Sequence, residues 1–151
     1  MKQVAFPPDP EYTSSSPEET LHAGEIIGLH LNPGDIVALS GSLGAGKTVF
    51  AQGIARSLGV EEPLKSPTYT IISEYEAAGM PLYHMDMYRI ANSDDFYLAG
   101  GEELLYGTGI CIIEWAEKIT LPASAFLITI EIVEGEKRRI YCKAPPNWQN
   151  L

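Results

Sequence analysis

The sequence is poor in basic residues, and this shortage argues against one class of partner. Lysine and arginine number 10 against 20 aspartates and glutamates, which gives the 151-residue chain a formal net charge of -10 at pH 7. Phosphate backbones repel a chain of this charge over long range. We therefore expect no direct, non-specific nucleic-acid binding by this chain on its own.

Long hydrophobic runs are also absent. No apolar run approaches the roughly 20 residues that a membrane-spanning helix needs. Met1, Lys2 and Gln3 lead into a proline-rich polar stretch and not into the apolar core of a signal peptide. We therefore expect a cytoplasmic protein without membrane association.

Cysteine and histidine are too few and too scattered for several kinds of catalytic or metal site. The 2 cysteines, Cys111 and Cys142, have neither metal-ligand nor C-x-x-C spacing, and Cys111 lies in the apolar run 110–113. Buried free thiols are the expected outcome. The 3 histidines share no metal spacing, and no Ser-His-Asp or Cys-His arrangement supports a covalent hydrolase.

Length and composition favour one domain spanning residues 1–151. A chain of 151 residues with 45% hydrophobic content can bury one core but is short for two ordinary domains. Ser16, Pro17 and Glu19 combine N-cap, first-turn proline and capping-box signals, so we expect the first ordered element to begin at Ser16. Residues 1–15 are accordingly expected to be a loosely ordered N-terminal segment.

Hydrophobic patterns predict helices interleaved with strands. One helix is expected from Ser16 to the turn at residues 32–35, and another over residues 47–58; residues 94–106 are irregular or helical. Strands are predicted at residues 36–39, 69–75, 82–88, 110–113, 126–133 and 138–142. Turns at 77–81 and 134–136 join two antiparallel pairs. The expected fold is α/β, a mixed and partly antiparallel sheet flanked by helices.

One glycine-rich segment carries the strongest chemical signal. It fits G-x-x-x-x-G-K-[ST], follows the strand predicted at 36–39 and opens the helix predicted at 47–58. In this pattern backbone N–H groups surround phosphate oxygens, the lysine neutralises the β and γ phosphates, and the hydroxyl faces Mg²⁺. A glycine-rich turn with a solvated lysine would leave the spacing unexplained. The predicted phosphate-binding residues are Gly41, Ser42, Leu43, Gly44, Ala45, Gly46, Lys47 and Thr48. We expect no cation other than Lys47 to be placed at this loop to neutralise the β and γ phosphates.

A triphosphate site also needs an acid for the metal or its waters, usually at the end of a neighbouring strand. Glu114 follows the apolar run 110–113, and Asp86 lies on the strand predicted at 82–88. The alternatives are an exposed strand-end carboxylate for Glu114 and a salt bridge to Arg89 for Asp86. The metal-side candidates are therefore Thr48, Asp86 and Glu114, and it stays open which acid holds metal and which orients water.

Two further residues have an open assignment. Thr68 lies in Ser-Pro-Thr-Tyr, between the glycine-rich loop's helix and the next strand, where many phosphate-loop enzymes carry a switch segment that senses γ-phosphate. An ordinary loop fixed by Pro67 explains that segment equally well. Trp115 either stacks on an adenine or fills the core, and core filling is commoner beside a buried strand.

Taken together, the motifs resemble the TsaE (YjeE) family. The resemblance is carried by the glycine-rich loop, Ser-Pro-Thr-Tyr-Thr, His-x-Asp-x-Tyr-Arg from His84 to Arg89, and Ile-Glu-Trp ending at Trp115, all in this order. It extends from the helix at Ser16 through the last predicted strand. Members of this family are small bacterial ATPases needed to form N6-threonylcarbamoyladenosine (t6A) in tRNA.

The resemblance implies a single P-loop NTPase-like domain that hydrolyses ATP with Mg²⁺ and associates with the TsaB and TsaD proteins, which carry out threonylcarbamoyl transfer. By position, Lys47 and the loop backbone match the phosphate cradle, Thr48 and Asp86 match metal-side groups, Thr68 matches the switch threonine, and Glu114 matches the catalytic acid. Trp115 is the aromatic neighbour of that acid and is counted with the nucleotide-binding residues.

Two positions depart from the family pattern. Ser42 stands where the family usually has Asp, and Val49 stands where it usually has a second Thr. The chain therefore lacks a loop carboxylate and a hydroxyl that would meet the α-phosphate. We expect nucleotide affinity below that usual for the family, with Val49 still adjacent to the nucleotide.

The leading hypothesis is an ATPase subunit that powers or resets the threonylcarbamoyl-transfer complex without touching the reacting groups. A small-molecule P-loop kinase is the second hypothesis, but few basic residues and little chain length remain for an arginine-bearing lid. A nucleotide-dependent binding module with negligible turnover is the third.

Overall fold

A seven-stranded mixed sheet forms the centre of a computed structural model of the chain, which describes residues 11–65 and 71–146. In chain order the strands are β1 (Glu11–Ser14), β2 (Ile36–Ser40), β3 (Ile72–Ala77), β4 (Met80–Asp86), β5 (Ile110–Glu114), β6 (Phe126–Glu134) and β7 (Lys137–Lys143). Their spatial order is β1-β7-β6-β2-β5-β4-β3.

Parallel strands form the middle of the sheet and antiparallel strands its two sides. β2 pairs in parallel with both β5 and β6, and β4 pairs in parallel with β5. β3 is antiparallel to β4, and β7 is antiparallel to both β6 and β1. The predicted mixed sheet with two antiparallel pairs is confirmed.

Helices cover both faces of this sheet. They are α1 (Pro17–Gly28), α2 (Lys47–Ser57), α3 (Ser93–Leu98), α4 (Gly101–Leu105) and a 3-10 turn (Ala116–Lys118). Ser16 caps α1 as predicted, because its side chain accepts a hydrogen bond from the Glu19 N–H. The α/β fold class is therefore confirmed. The segment 94–106, predicted as irregular or helical, contains two short helices separated at Gly100.

The N-terminal prediction is wrong in part, because an ordered strand precedes the first helix. β1 pairs antiparallel with β7, and Glu11 faces Tyr141 across the pair. Ser14 is fully buried and its hydroxyl bonds the Ser16 carbonyl at 2.8 Å and the Thr20 hydroxyl at 2.7 Å. A strand this short has no strong pattern of its own, since its partner lies at the far end of the chain. Residues 1–10 lie outside the described part.

The first hairpin turn is shorter than predicted. β3 and β4 join at Ala78 and Gly79, so Ala77 and Pro81 belong to the strands, and β4 ends at Asp86. Pro81 is tolerated in β4 because pairing with β5 begins only at Leu82.

Two apolar clusters hold the layers together. Alternate residues of the strands pack on α1 and α2 on one face and on α3, α4 and the 3-10 turn on the other. No helix within the described residues is long and apolar enough to cross a membrane. The parallel strands β2, β4 and β5 all end at one edge of the sheet, and the predicted site residues collect there.

Candidate active site

The glycine-rich loop joins the end of β2 to the start of α2, as the pattern predicts. Gly41 has a φ of +150°, and a Cβ there would lie 2.5 Å from the Ile130 carbonyl oxygen. Gly46 caps α2 in a left-handed conformation with a φ of +108°. Only glycine fits both demands. The free N–H groups at the start of α2 therefore face the loop, an arrangement suited to an anion.

Lys47, the first residue of α2, is held inside this loop. The side chain is 5% exposed, and its Nζ donates to the carbonyl oxygens of Gly41 at 2.8 Å and Ser42 at 2.9 Å. Burial lowers the pKa of this ammonium, while the carboxylates of Glu114, Glu117 and Asp86 oppose that shift. Nearby acids therefore help to keep a desolvated cation charged.

Glu114 is the last residue of β5 and is 3% exposed, so the alternative of an exposed strand-end carboxylate is wrong. The Thr48 hydroxyl donates to its Oε1 at 3.2 Å and to its Oε2 at 3.1 Å. His84 of β4 lies on the other side, with Nε2 2.6 Å from Oε2. Because an ionised carboxylate can only accept, the imidazole donates this bond. Side chains from two elements, α2 and β4, therefore hydrogen-bond to Glu114.

Asp86 ends β4 beside Glu114, its register partner on β5. The Asp86 Oδ1 accepts a hydrogen bond from the Tyr88 N–H at 3.0 Å. Within the described residues the structure shows no ion pair between Asp86 and Arg89, so the salt-bridge alternative is wrong. Two carboxylates therefore lie at adjacent strand ends next to Lys47 and Thr48.

Trp115 adopts an unusual backbone conformation directly after Glu114. Its φ of +58° is the one positive value at a non-glycine position in the described residues. The indole is half-buried and packs beside the second apolar cluster, so it only partly fills the core. Its ring centroid is 4.1 Å from the Lys47 Nζ and 4.9 Å from that of Tyr88. The indole therefore lies beside the lysine of the glycine-rich loop, and its stacking on an adenine stays a prediction.

A cavity of about 1250 Å³ opens over these groups. Its lining includes the predicted residues Leu43, Gly44, Gly46, Lys47, Thr48, Val49, Asp86, Glu114 and Trp115. Gly41, Ser42 and Ala45 belong to the loop but are not among the lining residues; the first two hold Lys47 through their carbonyls. Thr68 lies outside the described residues, so its role as a switch stays a prediction.

Comparison with known proteins identifies the family of the chain. The family model described as "Threonylcarbamoyl adenosine biosynthesis protein TsaE" matches residues 14–140, which is most of the chain. The chain belongs to the TsaE family. The resemblance inferred from the motifs is thereby confirmed.

Individual TsaE relatives match over most of their own length. The protein from Treponema pallidum named "tRNA threonylcarbamoyladenosine biosynthesis protein TsaE" is 41% identical over 119 residues, covering 79% of this chain and 87% of that protein. The relative of the same name from Bacillus subtilis is 39% identical over 140 residues, covering 91% and 87%. The crystal structure of Bacillus subtilis YdiB superimposes with a TM-score of 0.73 at 36% identity, covering 91% of this chain and 86% of that one.

Two residues of this TsaE site were missed from the sequence. His84 stands two residues before Asp86 on the same strand, a spacing that places both side chains on one face, but nothing local shows that Glu114 is its partner. Arg138 of β7 contacts the glycine-rich loop through the Ala45 and Gly44 carbonyls at 2.9 and 3.3 Å. A second cation therefore contacts the loop, but through its carbonyls and outside the cavity lining, so the role of Lys47 as the cation that neutralises the β and γ phosphates stays a prediction.

Proposed function

We propose that this TsaE family member is a Mg²⁺-dependent ATPase. The family works in t6A biosynthesis, and the observation that carries the finer proposal is the Thr48–Glu114 contact beside Lys47. A loop hydroxyl paired with an acid at the end of a neighbouring strand is how phosphate-loop enzymes hold a nucleotide-bound metal. Because burying a carboxylate is costly, the buried position of Glu114 favours a use for its charge over a packing role.

The donor atoms suit Mg²⁺. The Thr48 hydroxyl and the carboxylates of Glu114 and Asp86 are hard oxygen ligands, the kind that Mg²⁺ prefers. The described residues include no cluster of three or more His, Cys, Asp or Glu side chains arranged to hold a metal. An ion here would take its remaining ligands from phosphate and water oxygens, as Mg²⁺ commonly does with nucleotides. When bound, it would neutralise charge on the β and γ phosphates.

Each side chain then has a distinct task. Lys47 places its charge against the β and γ phosphates after exchanging the Gly41 and Ser42 carbonyls for phosphate oxygens. The N–H groups of the loop donate to the same oxygens. One of Asp86 and Glu114 serves the metal side, and the other orients the attacking water. His84 holds Glu114 in place for either task.

We also propose that the ATPase acts with TsaB and TsaD and supports threonylcarbamoyl transfer without touching the reacting groups. The charge of -10 fits this division, because an acidic subunit is poorly suited to gripping tRNA. The partners then carry the contacts to RNA. Such a subunit works in the cytoplasm, where tRNA is modified.

The test measures phosphate release from Mg·ATP by the purified protein, alone and mixed with TsaB and TsaD. We expect Lys47→Ala to lose at least about 100-fold of the activity, because its buried ammonium faces the phosphates. Lys143→Ala, which removes an exposed lysine at the end of β7, is the matched control and keeps wild-type activity. Wild-type turnover and ATP affinity in Lys47→Ala would disprove the phosphate-site assignment.

The same assay separates the competing functions. A small-molecule kinase would consume ATP only when an acceptor is added. A nucleotide-dependent binding module would release no phosphate even with both partners present. Phosphate release that depends on TsaB and TsaD but on no small acceptor supports the proposed ATPase.

A further inference from the structure

We propose that Arg138 is a positioning residue that sets the peptide orientation of the glycine-rich loop. This inference rests on the proposed function, since that loop is the proposed phosphate site. Arg138 lies on β7, more than ninety positions along the chain from the loop carbonyls it contacts. It does not line the cavity, so it acts on the loop from behind.

The β6–β7 hairpin is built to reach the loop. The last residue of β2, Ser40, pairs with Thr129, whereas β6 continues to Glu134. The hairpin therefore projects beyond the end of β2 and runs alongside the loop. Its Ile130 carbonyl lies so close to Gly41 that no side chain fits there. The loop is thus packed against the β6–β7 hairpin.

The guanidinium group of Arg138 connects this hairpin to the loop. Nε donates to the Ala45 carbonyl at 2.9 Å, and Nη2 donates to the Gly44 carbonyl at 3.3 Å. Nη1 donates to the Gly135 carbonyl in the hairpin turn at 2.7 Å. One planar guanidinium group therefore hydrogen-bonds to the carbonyls of two consecutive loop residues and to one carbonyl of the hairpin turn.

Holding these carbonyls determines where the neighbouring N–H groups point. A trans peptide is planar, with its N–H directed opposite to its C=O. With the Ala45 carbonyl turned toward Arg138, the Gly46 N–H must face the other side, which is the cavity side of the loop. The Ala45 N–H is already bonded to the Ser42 carbonyl at 3.0 Å, so Gly46 supplies the next free donor.

The loop needs this restraint because its own sequence does not provide it. Ala45 lies between Gly44 and Gly46, and both glycines have positive φ values, +80° and +108°. Peptides flanked by glycine have unusual conformational freedom. Without Arg138 the 45–46 peptide can rotate and turn its N–H away from a phosphate. A cation behind the carbonyl also polarises the peptide and strengthens its N–H as a donor.

Arg139 is a matched control on the same strand. Consecutive strand residues point to opposite faces, so Arg139 points away from α2. It pairs with Glu11 at 3.1 Å and with Glu131 at 3.6 Å, and both partners are well exposed. Replacing Arg139 therefore removes the same charge from the same strand without touching the loop.

The experiment compares Arg138→Met, Arg138→Lys and Arg139→Met with the wild type. ADP and a non-hydrolysable ATP analogue with Mg²⁺ are titrated by calorimetry, at a temperature where circular dichroism shows each variant folded. Amide hydrogen exchange of residues 43–47 is measured without nucleotide. We expect Arg138→Met to weaken both affinities about tenfold and to speed exchange in the loop, because charged hydrogen bonds are lost. Arg139→Met keeps both properties.

Arg138→Lys keeps the charge but not the planar guanidinium group, so its affinity should fall between those of the wild type and Arg138→Met. It also serves as the test if Arg138→Met does not fold. Wild-type affinity and loop exchange in either Arg138 variant would overturn the inference. If the wild type itself binds no nucleotide, the proposed function fails, while loop exchange in the nucleotide-free variants still decides the role of Arg138.

Discussion

At the residue scale, Glu114 is the point where three elements meet. Thr48 comes from α2, His84 comes from β4, and Glu114 itself ends β5. Asp86 lies next to it on β4 but is more open to the cavity. The two acids therefore have different surroundings, and different surroundings favour different roles.

Neutralising either acid should reduce ATP hydrolysis, by routes that can be separated. For Glu114→Gln and Asp86→Asn we expect turnover to fall about 100-fold or more. The variant that loses a metal contact should recover part of its rate at high Mg²⁺, whereas the one that loses the water-orienting group should not. Phosphate release is therefore measured across a Mg²⁺ titration. Normal turnover of both variants at every concentration would make both carboxylates structural.

The bond between His84 and Glu114 should also stabilise the fold. His84→Phe leaves a buried carboxylate without its strongest donor, and we expect the free energy of unfolding to fall by roughly 2 kcal/mol. Urea denaturation measures the change. Adding Glu114→Gln should recover part of the loss, because a neutral amide costs less to bury than an unpaired charge. A double variant as unstable as the sum of the single variants would rule out this coupling.

The Nδ1 atom of His84 has no hydrogen-bond partner within the described residues and is buried. In the neutral ring that donates through Nε2, Nδ1 carries a lone pair and not a proton. Burying an acceptor without a partner costs less free energy than burying a donor without one. The unpartnered Nδ1 therefore fits the tautomer that donates through Nε2 to Glu114.

At the scale of elements, the α1–α2 contact positions the phosphate loop, because α2 begins where the loop ends. The two helices approach so closely that glycines form the contact. A Cβ at Gly24 would lie 2.1 Å from the Phe50 carbonyl oxygen, and one at Gly53 would lie 2.0 Å from that of Leu21. Nothing in the local sequence identifies the helix that each glycine faces.

This contact reverses the usual effect of a glycine-to-alanine change in a helix. Such a change normally stabilises an exposed helix by up to about 1 kcal/mol, whereas Gly53→Ala should destabilise the protein by about 2 kcal/mol through overpacking. Thermal and urea unfolding measure this. Arg56→Ala, which changes an exposed residue of the same helix, is the control and should alter stability by at most about 0.5 kcal/mol. An unchanged or raised stability of Gly53→Ala would contradict the packing described.

At the scale of the whole molecule, each of the two apolar clusters contains one of the two cysteines. Cys142 belongs to the cluster beneath α1 and α2, and Cys111 belongs to the cluster on the opposite face. Both are free, as predicted. Burial raises the pKa of each thiol to about 12.

Neither thiol should react while the protein is folded. A pKa near 12 leaves only about one thiol in ten thousand ionised at pH 8, and the thiolate is the reactive form. We expect iodoacetamide to label both cysteines in urea and neither in buffer within an hour, as judged by mass spectrometry. Rapid labelling of the native protein, with unchanged circular dichroism, would show that the clusters open readily.

Local sequence patterns were enough to predict the parts of this protein that depend on neighbouring residues. The glycine-rich loop between β2 and α2, the cap at Ser16 and the hairpin β6–β7 are set by local patterns, because turn chemistry and apolar periodicity act over a few positions. Asp86 and Glu114 were predictable too, since Glu114 follows an apolar run and Asp86 lies on a predicted strand, although the structure was needed to show that the strand ends at Asp86. Parallel strands bring such ends together at one edge.

Which distant groups meet depends on the tertiary fold. Three contacts join residues 30 or more positions apart. They are the pairing of β1 with β7, the hydrogen bond between His84 and Glu114, and the hydrogen bonds from Arg138 to the loop. The left-handed backbone of Trp115, whose ring lies beside Lys47 and Tyr88, likewise has no local signal in the sequence. Register and sheet order place these groups, and a local pattern carries no information about either, because any strand of suitable polarity could occupy the same position.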